Sequence, residues 1–107
     1  MKNIIIHNKL VRDKIPEIIN KSGKTAVCRT LSDEEYLQTL DQKLTEELDE
    51  YLKDQSMEEI ADLLEVIYAV VKARGSSMEE IEKIRLLKKE KRGGFENKIF
   101  LECVVEE

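Results

Sequence analysis

Three observations on this 107-residue chain predict a mainly α fold, an antiparallel bundle of three to four helices in a single domain. The composition is 38% charged and 5% aromatic, with no Trp, one Pro and four Gly, a profile that suits helices rich in Glu, Lys, Leu and Ile. Apolar residues recur at helical spacing along three long segments. Three starts share one signature, a serine followed three residues later by glutamate: Ser32 with Glu35, Ser56 with Glu59, and Ser77 with Glu80.

The elements follow in order. Residues 12–20 are expected to form a short helix beginning near Pro16, because proline is tolerated in a first turn but not in a helix interior. Over 33–54, Leu37, Leu40, Leu44, Leu48, Tyr51 and Leu52 make one amphipathic stripe. The next helix, 57–74, is apolar on most of its circumference, with Ile60, Leu63, Leu64, Ile67, Val70 and Val71 on its main face, which suggests packing on more than one side. Gly75 is a natural stop. A third long helix spans 78–91, with Ile81, Ile84 and Leu87 inward, and ends at Gly93 and Gly94. Residues 25–30 and 99–105 have strand composition and could pair as a small two-stranded ribbon near the two ends, bounded by Ser22-Gly23 and Gly93-Gly94.

The bulk numbers narrow the function. With 41% apolar residues at helical spacing the chain is not disordered, but a single domain of this size has a modest core, so self-association as a homodimer or higher homo-oligomer is expected. A net charge of -5 argues against general nucleic-acid binding and leaves small phosphorylated ligands as the better fit. Cys28 and Cys103 match no metal-ligand spacing and read as reduced core thiols. The apolar run 4–6 is too short for a signal-peptide core and no stretch reaches membrane-spanning length, so no membrane partner and a cytoplasmic location are expected.

The chemistry concentrates in acids. Glu47 with Glu50, and Glu59 with Asp62, are two i,i+3 pairs, each facing one way on its helix. If the helices fold back across the short turn between Asp54 and Ser56, Glu50 falls level with Glu59 and Glu47 with Asp62, at about 1.5 Å per residue. Such a cluster suits a hard divalent cation, magnesium first and manganese second. Competing explanations exist for each acid. Glu59 occupies the position that completes a capping box on Ser56, Asp62 could share a narrow solvated face with Glu65 and Lys72, and the run 46–50 could be ordinary surface charge. Lys9, Arg12, Lys14 and the cluster Lys88, Lys89, Lys91 and Arg92 are candidate phosphate contacts, although cations at a helix C-terminus also complement its dipole.

Two tempting matches fail. Gly23-Lys24-Thr25 lacks the glycine that a phosphate-binding loop needs five positions earlier, where Ile18 stands, and Cys28 with His7 has no nucleophile–base spacing.

The stretch 46–50, Glu-Glu-Leu-Asp-Glu, followed by Glu59-Ile60-Ala61-Asp62, resembles the E-E-x-x-E then E-x-x-D signature of the MazG-like all-α nucleoside triphosphate pyrophosphohydrolases. The opening 9–16, Lys-Leu-Val-Arg-Asp-Lys-Ile-Pro, and the closing Arg92-Gly93-Gly94-Phe95 resemble a small branch labelled phosphoribosyl-ATP pyrophosphohydrolase-like. The resemblance implies magnesium-dependent cleavage between the α- and β-phosphates of a nucleotide. By motif position, Glu47, Glu50, Glu59 and Asp62 would be metal ligands, and Glu46, Glu47 and Glu50 the catalytic acids, with Glu46 the water-activating candidate. Lys9, Arg12, Lys14 and Arg92 would bind substrate phosphates. Eight residues separate Glu50 from Glu59, fewer than in many members of the broad family. Two alternatives share these features: a non-catalytic oligomeric helical interaction module, and the phosphoribosyl-ATP step of histidine biosynthesis.

Overall fold

A computed structural model describes residues 3–107 and contains four helices: α1 (Ile15–Lys21), α2 (Asp33–Asp54), α3 (Met57–Ala73) and α4 (Met78–Arg92). The mainly α class is therefore observed. Within one chain the close packing is concentrated in the antiparallel α2/α3 pair, while α4 meets α3 sparsely and α1 packs on no other helix.

Local chemistry sets the boundaries. At α2 the Ser32 hydroxyl accepts the Glu35 N–H while the Glu35 carboxylate accepts the Ser32 N–H, a complete capping box. Arg29 adds two hydrogen bonds to the same carboxylate and thereby holds Glu35 below its ordinary pKa. Replacing Ser32 by Ala should cost about 1 kcal/mol of stability. Urea denaturation checks this, and an unchanged midpoint would mean that Arg29 alone fixes the helix start.

The two other serine signatures are only half used. Ser56 accepts the Glu59 N–H and Ser77 accepts the Glu80 N–H, without a returning carboxylate in either case. Glu80 is instead held by the Ser76 hydroxyl. Between α2 and α3 only Gln55 and Ser56 make the turn, with Gln55 in the left-handed region and its N–H donating to Tyr51 O. So short a link forces α3 back along α2. Leu40 at 2% exposure and Val66 at 9% form the buried centre between them.

Two expectations are corrected. The ribbon is not formed: among the described residues there is no strand, and 25–30 and 99–105 have no regular secondary structure. Nor are the cysteines in a core, since Cys28 and Cys103 are both free thiols and both exposed. The segments that carry them lie at the surface, 99–105 exposed throughout and 25–30 exposed at every residue but Ala26. The short helix α1 starts at Ile15, beside the expected Pro16, which sits in its first turn.

Candidate metal centre on the α2/α3 hairpin

The turn of two residues brings the acids together at the level that the spacing requires. Carboxylate oxygens of Glu47, Glu59 and Asp62 lie within 4.8 Å of one another, and those of Glu50, Asp54 and Glu59 form a second group with the same spread. Glu59 belongs to both. Its backbone N–H is spent on the Ser56 cap, but its side chain is free of the cap and enters the acidic cluster. The two roles that competed for Glu59 are thus divided between its backbone and its side chain.

Together Lys9, Lys43, Glu46, Glu47, Glu50, Glu59 and Asp62 line an open cleft of about 410 Å³. Two cations balance part of its charge. Lys43 Nζ sits 3.2 Å from Glu46 and 3.3 Å from Glu47, with both Lys43 and Glu47 largely covered. Arg12 donates to Asp62 at 2.7 Å, fastening the segment before α1 to the N-terminal half of α3. Among the described residues Glu59 has no ion-pair partner. Partial burial first, then the charges of Asp62, Glu50, Asp54 and Glu47, push its pKa above the ordinary glutamate value.

The donor set fits magnesium. All the groups are hard oxygen donors, and opposite ligands of an octahedral magnesium ion stand roughly 4.2 Å apart. A 4.8 Å spread needs only small side-chain rotations to reach that spacing. An acid left with repelling neighbours and no counter-ion is also the group that a cation would relieve most.

Not every expected residue is here. Glu46, Glu47, Glu50, Glu59 and Asp62 are brought together, and Lys9 joins them at the rim. Arg12 reaches the site as a partner of Asp62, not as a free phosphate contact. Lys14 and Arg92 stay out: Lys14 is the exposed residue before α1, and Arg92 ends α4, which does not approach α2. Lys43 and Asp54 were not among the expected residues. Both had a signal, for Lys43 precedes Glu46 and Glu47 by three and four residues, and Asp54 follows Glu50 by four, spacings that share a helix face.

No family model and no solved structure matches this chain. It is 62% identical over 42 residues to an uncharacterized protein of Mycolicibacterium smegmatis, a stretch covering 39% of this chain and 43% of that protein. The chain therefore matches less than half of that relative's length. Among the described residues no helix is long and apolar enough to cross a membrane.

Proposed function

We propose that this protein is a MazG-like, magnesium-dependent nucleotide pyrophosphohydrolase that cleaves between the α- and β-phosphates of a nucleoside triphosphate, releasing a monophosphate and pyrophosphate in a house-cleaning role. The observation that carries the reading is the convergence of Glu47, Glu59 and Asp62 from two helices, with the Glu59 carboxylate left over from its cap.

Glu47, Glu59 and Asp62 would hold the ion, and Glu50 would join them through its contact with Glu59. Magnesium supplies charge neutralisation at the phosphate chain and makes a nearby water more acidic. Manganese, with the same oxygen preference, would substitute. Glu46 lines the cleft beside this set and would take the proton of the attacking water as the bond to the pyrophosphate leaving group breaks. Lys9 stands where it can meet phosphate oxygens. With Asp62 serving as a metal ligand, Arg12 would be free to act as a second phosphate contact.

Self-association belongs to the same reading. A compact protein of 12.5 kDa exposes about 6,200 Å². This chain exposes 10356 Å², and its radius of gyration of 19.3 Å exceeds the roughly 13 Å of a compact chain of its length. The exposed Leu48, Leu52, Met57 and Leu64 leave apolar surface on α2 and α3 for a second copy to cover, giving a homodimer.

The test is pyrophosphate release from a panel of nucleoside triphosphates and phosphoribosyl-ATP with magnesium. Release is expected from at least one of them and should fall at least ~100-fold in Glu50→Gln. If no member of the panel is cleaved with magnesium or manganese, the enzymatic reading falls and a helical interaction module takes its place.

A further inference from the structure

The segments 25–30 and 99–105 lie outside every helix and form no ladder, and 99–105 is rich in apolar side chains. Val27 is 94% exposed, and Ile99, Phe100, Leu101, Val104 and Val105 are all at least 72% exposed. Among the described residues no backbone group of 27–30 or 99–105 bonds to another backbone group. An unpaired row of N–H and C=O groups beside β-branched and aromatic side chains is a template for strand pairing. The two segments have nearly equal lengths, about 20 and 23 Å when extended.

Their settings in the chain differ. Segment 25–30 is moored, since the Ala26 N–H donates to Asn20 Oδ1 at 2.9 Å and Arg29 grips Glu35 at the start of α2. Segment 99–105 is carried away at the far end of α4, which does not touch α2, after a turn in which the Lys98 N–H donates to Phe95 O. Within one chain, then, a fixed template and a matching strand do not meet. Each chain also exposes roughly 4,200 Å² beyond a compact monomer of its mass, above the range of about 1,000–2,500 Å² per partner that obligate dimers bury.

We propose that the pairing is made between molecules: residues 99–105 of one copy lie against residues 25–30 of a second copy as a two-stranded ribbon, and reciprocally. The ribbon deepens the self-association proposed above and is independent of metal and catalysis. It covers the apolar side chains of both segments and gives their backbone groups partners. It also explains why two strand-like segments stay single in an isolated chain.

Cys28 and Cys103 sit one in each segment and serve as native probes. Cys28→Ser and Cys103→Ser proteins are mixed, allowed to exchange subunits, and treated with a short bismaleimide. A covalent dimer carrying a Cys28–Cys103 link is expected in the mixture and absent from either variant alone. In parallel, Phe100→Asp should weaken the dimer at least ~10-fold by sedimentation, with helix content unchanged because Phe100 lies outside every helix. A stable dimer with no link in the mixture, or links only between like cysteines, would overturn the ribbon while leaving self-association intact. A monomeric mass would overturn both. A dimer unaffected by Phe100→Asp would likewise overturn the ribbon.

Discussion

Glu59→Gln is expected to make the metal-free protein more stable at neutral pH and at the same time to remove its response to magnesium. Both effects come from one side chain. The folded-state pKa of Glu59 is raised, by partial burial and by Asp62, Glu50, Asp54 and Glu47. A raised carboxyl pKa contributes stability that is fully present below the ordinary value near ~4.3 and is lost as pH rises through the folded value. At pH 7 the ionised Glu59 therefore opposes folding, and the neutral amide does not.

In chelator at pH 7 the variant should melt above the parent, with the gap closing as pH falls below about 4. Adding magnesium should reverse the order, because only the parent gains the mass-action stabilisation of a bound ion. Pyrophosphate release should drop at least ~100-fold in the variant. Thermal melts with and without magnesium decide the matter. If the variant stays ahead of the parent in both conditions, the acids merely repel one another and the metal reading is lost.

The second large effect concerns the scaffold. Leu40 is 2% exposed, and with Val66 at 9% it makes the buried apolar centre of the α2/α3 pair. Leu40→Ala should cost about 3 kcal/mol, since the deleted methyl groups leave a cavity between two helices whose turn of two residues prevents them from closing in. Against a typical total of about 5–15 kcal/mol that is a large fraction. Urea denaturation at fixed protein concentration measures it. A loss below ~1 kcal/mol would mean that the hairpin is held mainly from outside, by a second copy.

The acidic centre depends on both results, because its ligands come from opposite helices. Glu47 and Glu59 meet only while α2 and α3 stay in register, and the register rests on the turn at Gln55 and Ser56 together with the packing around Leu40. Leu40→Ala should consequently weaken magnesium binding although Leu40 does not line the acidic cleft.

Much of this was legible in the sequence. The boundaries of α2, α3 and α4 follow from capping chemistry and apolar period, which act over a few residues and need no tertiary context. The short link between α2 and α3 was also readable, and with it the alignment of Glu47 with Asp62 and Glu50 with Glu59, because helix rise is constant. Three things were not. Whether the Glu59 carboxylate returns to its cap or turns to the acids depends on which partner lies closer once the helices have packed. Arg12 meets Asp62 across fifty residues of sequence, a contact that no local pattern encodes. The strand composition of 25–30 and 99–105 was plain, but composition states a preference for pairing and does not name the partner. Only the tertiary arrangement, with α4 carried away from α2, separated those segments within one chain and left their edges open.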